Sequence, residues 1–172
     1  RGMSLQAVRR DPGNLEREKR FLAAHTAGHD RIYRYFRRRT ADAATAEDLC
    51  SEVFRIAWEK LAGSGELSVM VLFGVAKNVL RNHDRSACRS ADLLGALRAE
   101  RRDSAPAQDS PVHEALERLS PDDREVLLLT YWDGFTSREV SDLLNTSATA
   151  VRMRLHRARK ALSHLIQTQP QA

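Results

Sequence analysis

Apolar side chains recur at helical spacing in several blocks of this chain, and clean strand-like alternation is absent. The first block runs from about Leu15 to Arg39, with Leu22, Ile32, Tyr35 and Phe36 among its apolar positions and the basic cluster Arg37, Arg38 and Arg39 at its end. The second, "TAEDLCSEVFRIAWEKL" (45–61), starts with Thr45 and Asp48 spaced as a capping box. Leu49, Val53, Ile56 and Lys60 follow one stripe, and Phe54, Trp58 and Leu61 widen it. "AGSGELS" (62–68) interrupts the pattern, and a third helix is predicted through "VMVLFGVAKNVLRNHDR" (69–85).

Between Ser86 and Pro111 the periodicity fades. "RRDSAPAQDSP" (101–111) reads as a flexible linker, with "ADLLGALRA" (91–99) a short helix within the connection. Helical signals then return. "SPDD" (120–123) supplies an N-cap, a proline at the first helical position and an acid in the first turn of "DDREVLLLTYW", which stops at Asp133-Gly134. "TSREVSDLLN" (136–145) opens on a second capping box, Thr136 to Glu139, and after a brief turn "SATAVRMRLHRARKAL" (147–162) forms the last helix. The expected fold is all-α: two small helical domains, at 15–85 and 112–166, joined by a linker at 86–111. The second domain has the order of a helix-turn-helix.

Charge changes this picture more than composition does. The formal net charge of +5 makes an anionic partner plausible, though net charge speaks to attraction and not to fold. Its distribution is more telling. Residues 120–146 hold six acids against Arg124 and Arg138, whereas residues 147–166 hold five basic residues and no acid. A merely solvated helix face would intersperse acids as i,i+4 pairs. In the last helix Val151, Leu155, Ala158, Leu162 and Leu165 form one apolar stripe. Thr149, Arg152, Met153, His156, Arg157 and Arg159 lie elsewhere on the cylinder and are the candidate contacts to a DNA major groove, where arginine bonds guanine bidentately.

Together, "LERLSPDDREVLLLTYWDGFTSREVSDLLNTSATAVRMRLHRARKAL" and "AEDLCSEVFRIAW" resemble bacterial RNA polymerase sigma factors, most nearly the extracytoplasmic-function (ECF) group. The resemblance covers most of residues 15–166. It implies that the amino-terminal domain docks on core RNA polymerase and melts the minus-ten element of promoter DNA, while the carboxy-terminal domain reads the minus-thirty-five element. By position it gives Asp48, Ser51, Glu52 and Arg55 the role of binding the clamp helices of the beta-prime subunit. An acidic outer face there suits a basic protein partner better than phosphate. It also assigns Lys77, Asn78, Arg81, Asn82 and Arg85 to the minus-ten element, with Leu72, Val75, Ala76, Val79 and Leu80 packing inward. The loop from Gly63 to Ser68 takes the place of the family's base-capturing loop. Two departures stand out: Val71 replaces the family's usual tryptophan, and Thr149-Ala150-Val151 stands where Gly-Thr-Val is usual. Tyr33, Tyr35, Phe36 and Trp58 could stack on bases, but core packing is the better reading of each.

Other function classes fare worse. His25 and His29 share a helix face without an HExxH context or a third ligand, "GSG" lacks the lysine of a phosphate loop, and no catalytic triad assembles. Neither an enzyme nor a cofactor or metal site is expected. The longest apolar run, "VMVLFGVA", is too short to span a bilayer, and the opening stretch lacks the apolar core of a secretion signal, so no membrane insertion is expected. Cys50 and Cys88 fit no metal or redox spacing and suit a reducing cytoplasm. The rival reading is a helix-turn-helix regulator acting without polymerase. The resemblance alone implies an anti-sigma factor as a further partner.

Overall fold

The computed structural model describes residues 11–63, 65–94 and 110–168, and every regular element among them is helical. Helix α1 spans Pro12–Arg37. Asp11 caps it by accepting from the Gly13 N–H at 3.3 Å, and Pro12 occupies a position whose N–H would have no intrahelical acceptor. Arg34 and Arg37 in the last turn suit the negative end of the helix dipole.

Helix α2, Ala43–Lys60, begins earlier than the sequence pattern indicates. Its cap is Asp42, whose carboxylate accepts from the Thr45 N–H at 2.7 Å and from the Thr45 hydroxyl at 3.0 Å. Thr45 therefore sits inside the first turn, and the expected Thr45–Asp48 capping box is not the one this helix uses. Asp42 wins because it satisfies the same orphan donors one turn upstream.

Helix α3 spans Val69–Leu94, so residues 86–94 continue a helix where a linker was expected. Residues 95–109, which hold most of the remaining linker and most of the short helix expected at 91–99, lie outside the described residues, as does Ser64 in the loop before α3; Ser110 and Pro111, the last two linker positions, cap and begin the next helix.

Helices α1, α2 and α3 pack around Ile32, Phe36, Val53, Ala57, Leu72, Phe73 and Ala76, all at most 1% exposed. Burying each large aliphatic or aromatic side chain contributes about 1.5–3 kcal/mol. Gly28 lets α1 lie close against α3: a Cβ built there would stand 2.6 Å from the Leu72 side chain, so only glycine fits without a shift.

The carboxy-terminal unit comprises α4 (Pro111–Glu117), α5 (Pro121–Leu127), α6 (Ser137–Leu144) and α7 (Ala148–Gln167). Ser120 caps α5 as expected, accepting from the Asp123 N–H at 3.2 Å. The helix then widens into a single π-helical turn over Leu128–Trp132, closed by the Asp133 N–H donating to the Leu128 carbonyl at 2.9 Å. Gly134, at φ 79°, takes the left-handed conformation that ends the element. Leu116, Val126, Leu127, Val140, Val151 and Ala158 form this unit's core.

Candidate nucleic-acid and polymerase interface

The helix-turn-helix is built from local signals that agree with one another. Thr136 and Glu139 form the expected capping box of α6: the Glu139 N–H donates to the Thr136 hydroxyl at 3.2 Å, and the Thr136 N–H to the Glu139 carboxylate at 3.0 Å. These bonds hold the Glu139 carboxyl below its ordinary range, the backbone N–H contributing most. At the other end Asn145 adopts the left-handed conformation, φ 52°. Thr146 N–H then reaches back to the Ser141 carbonyl at 3.0 Å, and Asn145 N–H to the Asp142 carbonyl at 3.4 Å, a Schellman closure. Ser147 follows at once as the N-cap of α7, accepting from the Ala150 N–H at 3.0 Å. The turn thus ends one helix and starts the next within three residues.

Helix α7 separates its two faces cleanly. Val151, Leu155 and Ala158 are buried, with Leu162 and Leu165 half-buried behind them. Thr149, Arg152, Met153, His156, Arg157 and Arg159 are all exposed. At 3.6 residues per turn these six occupy an arc of about 160°, centred opposite the buried stripe. Every residue expected at the minus-thirty-five element therefore shares one outward surface. Arg159 donates to the Tyr131 hydroxyl at 3.1 Å, and Arg152 stands 3.5 Å from the Thr149 hydroxyl. Arg154, nearer the packed side, pairs with Asp122 at 3.5 Å. Beside this face lies a cavity of about 320 Å³ lined by Val126, Leu144, Met153, Arg154 and Arg157 among others. Tyr131 was not singled out in the sequence. It lies in the π-helical turn that ends α5 and meets α7 through Arg159.

On α3 the expected set divides. Asn78, Arg81, Asn82 and Arg85 are exposed and fall at i, i+3, i+4 and i+7, one face of the helix, with Arg81 donating to the Asn78 side-chain oxygen at 2.8 Å. Lys77 is half-buried and points elsewhere, its ammonium donating to the Leu143 carbonyl of α6 at 2.5 Å. Leu72, Val75, Ala76 and Val79 pack inward as expected, Leu80 is half-buried, and Phe73, absent from the expected inward set, is nearly fully buried.

On α2 Asp48, Ser51 and Arg55 are exposed and Glu52 is half-exposed, again at i, i+3, i+4 and i+7. Arg55 donates to Glu52 at 2.6 and 2.9 Å and to Glu59 at 2.5 Å. The hydrogen bonds from Arg55 lower the Glu52 carboxyl below its usual range.

The aromatic candidates are taken up by packing. Tyr35 and Phe36 are buried, and the Trp58 ring lies 3.9 Å beneath the Arg17 guanidinium, which also donates to the Trp58 carbonyl. The His25 and His29 rings lie 4.8 Å apart at a tilt of 34°, with Phe54 4.6 Å from His25. Among the described residues, no group of three or more His, Cys, Asp or Glu is placed to hold a metal ion, and no helix is long and apolar enough to cross a membrane.

Comparison with known proteins gives the family. Residues 110–162 match the family described as Sigma-70, region 4. ECF RNA polymerase sigma factor SigM of Bacillus subtilis is 31% identical over 143 residues, which cover 78% of this chain and 87% of SigM. The chain belongs to the ECF RNA polymerase sigma factors. A probable RNA polymerase sigma factor, RfaY of Xanthomonas campestris pv. campestris, is 37% identical over 134 residues, 70% of this chain. The chain spans about a third of that longer relative, 34% of its length. A solved structure of the sigma factor RpoE with the anti-sigma factor NepR, from Bartonella quintana, shares the fold: TM-score 0.65 at 23% identity, covering 91% of this chain and 98% of that one. Membership in the ECF sigma factors supports promoter-specific transcription initiation, and the rival reading of a regulator acting without polymerase is not favoured.

Proposed function

We propose that this chain binds core RNA polymerase through the outer face of α2 and recognises promoter DNA through α3 and α7. The observation that carries the reading is the face of α7, where a stripe of cations stands opposite a buried apolar stripe. A duplex presents one negative charge per about 1.7 Å of axis, so such a face gains affinity by displacing counterions and specificity through its base-reaching side chains. Thr149, Arg152, Met153, His156, Arg157 and Arg159 would contact the minus-thirty-five element. Asn78, Arg81, Asn82 and Arg85 would contact the minus-ten element, with Lys77 joining them once it leaves Leu143. Asp48, Ser51, Glu52 and Arg55 would meet the clamp helices of the beta-prime subunit, where an acidic patch complements a basic one.

The work is done by binding energy. Melting requires unstacked bases to be held, at a cost of a few kcal/mol offset by contacts to the displaced strand. No hydrolysis, cofactor or metal enters this mechanism, and the protein acts in the compartment that holds the polymerase, the cytoplasm. An anti-sigma factor is a further partner consistent with complexes such as that of the Bartonella protein.

Transcription reconstituted with core polymerase and a genomic fragment library tests the reading. Discrete start sites that depend on both the chain and the polymerase are expected. Tight binding to a specific operator without polymerase, and no initiation with it, would overturn the assignment.

A further inference from the structure

Tyr131 is a large aromatic side chain that the core does not use. It is 53% exposed, although Leu128 and Leu129 of the same turn are buried. Its phenolic oxygen accepts from the Arg159 guanidinium of α7 at 3.1 Å, across 28 residues of sequence. The oxygen accepts through a lone pair, so the Tyr131 O–H is left to donate. Among the described residues Arg159 forms no ion pair, and its neutral partner leaves the charge uncompensated. The acid that reaches α7, Asp122, pairs with Arg154 instead, at 3.5 Å.

The acid nearest in sequence is engaged elsewhere too. Asp133, two residues after Tyr131 and with a side chain only 2% exposed, accepts from Arg38 at 2.8 Å and from Arg39 at 3.1 Å, just past the end of α1. Its charge is compensated inside that buried cluster and does not oppose an anion at Tyr131.

Place along α7 decides what the pair can reach. The first residues of a helix lying in the major groove meet base edges. Arg159 comes seven residues after Arg152, which is two turns or about 10.5 Å farther along the axis. In a groove about 12 Å wide, a side chain so displaced stands at the sugar-phosphate wall and not over the bases. An arginine fork and a hydroxyl, both with donors to spare, match the oxygens of one phosphate there. The bond to the short, stiff tyrosine also restrains Arg159 before DNA arrives, which lowers the entropy lost on contact.

We propose that Tyr131 and Arg159 together grip one backbone phosphate beside the minus-thirty-five element, with the Tyr131 O–H donating to it. The DNA-binding surface thereby extends from α7 onto the end of α5. The proposal rests on the functional reading of α7 above. Its ligand is the phosphodiester, held without regard to base, and the grip fixes how deep and in what register α7 sits in the groove.

Equilibrium titration of the full chain with a mixed-sequence duplex of about 20 base pairs, followed by fluorescence anisotropy between about 50 and 200 mM salt, tests the clamp. Tyr131→Phe keeps the ring and removes only the oxygen. It is expected to weaken binding about tenfold, the scale of a lost hydrogen bond to a charged group, with salt slope and thermal melting unchanged. Arg159→Ala is expected to weaken binding and reduce the salt slope by about one. Because both side chains hold the same phosphate, the double variant should lose clearly less than the two single losses combined. Wild-type affinity in Tyr131→Phe would overturn the proposal. So would losses that simply add, which would put the two side chains on separate phosphates, or a Tyr131→Phe melting temperature that falls along with affinity, which would make the bond a strut between α5 and α7. A wild type that does not bind the duplex would remove the reading of α7 and the clamp with it. Full-strength binding by Tyr131→Phe would remove the clamp alone.

Discussion

The outer faces of α2 and α7 carry charge in opposite ways. On α2 the single arginine of the proposed docking set, Arg55, is held between Glu52 and Glu59, so the face neutralises part of its own charge. On α7 five basic residues share one helix with no acid. Arg154 reaches Asp122, but Arg157 and Lys160 have no ion-pair partner among the described residues. A face with internal pairs presents a fixed pattern of alternating sign, which selects a complementary protein surface by register. A face of one sign attracts any polyanion and gains from counterion release whatever the sequence. In the proposed reading, selectivity on α7 comes from the few side chains that reach base edges.

The contrast can be broken from either side. The largest effect is expected for Asp48→Arg combined with Glu52→Arg, which reverses the sign of the docking face. Polymerase affinity should fall about a hundredfold, the scale of several kcal/mol from like-charge juxtaposition. Binding of the same chain to duplex DNA should be unchanged or slightly tighter, as an equilibrium titration of each would show. Unaltered polymerase affinity would remove α2 from the interface.

Next comes Arg152→Ala, expected to cost roughly 1–3 kcal/mol at the preferred promoter and little on unrelated DNA. An equal loss on all sequences would make Arg152 a phosphate contact only. Arg157→Ala should behave in that second way, weakening all DNA binding uniformly and reducing the salt slope by about one. Arg55→Ala should lower thermal stability little, since exposed pairs contribute little to folding.

The smallest effect concerns the α6 cap. The Glu139 carboxyl is held below 4.5 in the folded chain, so its contribution is present above that value and is lost as pH falls toward the lowered one. Thermal melts of the wild type should therefore decline more steeply on acidification than those of Glu139→Gln.

The helix-turn-helix was the most legible part of the chain. Ser120-Pro121, Thr136 with Glu139, and the stripe from Val151 to Leu165 each carry a short-range signal, and the structure uses every one. The start of α2 misled because Thr45 and Asp48 have capping-box spacing, while the true cap, Asp42, lies where no apolar periodicity has yet begun. The end of α3 was missed for a related reason. Residues 86–91 are exposed, so no buried stripe marks them as helical. Least legible were Arg38, Arg39 and Asp133, which read separately as a basic helix end and a stop signal. Their meeting depends on how two units pack, information that neither local stretch contains. For the same reason Lys77 could be placed on α3 from its sequence, but its turn toward Leu143 could not.

The wide turn at Leu128–Trp132 is a change of phase in an otherwise regular helix. Each added residue rotates the remainder of the helix by about 100°. Carried on at the ordinary pitch, α5 would aim the carboxylate of residue 133 away from Arg38 and Arg39. The turn thus couples chain length to orientation. Removing one residue here would swing the buried Phe135 away from Phe73 together with Asp133 and so uncouple the two halves; at this point the alignment of the molecule depends on the count of residues as well as on their kind.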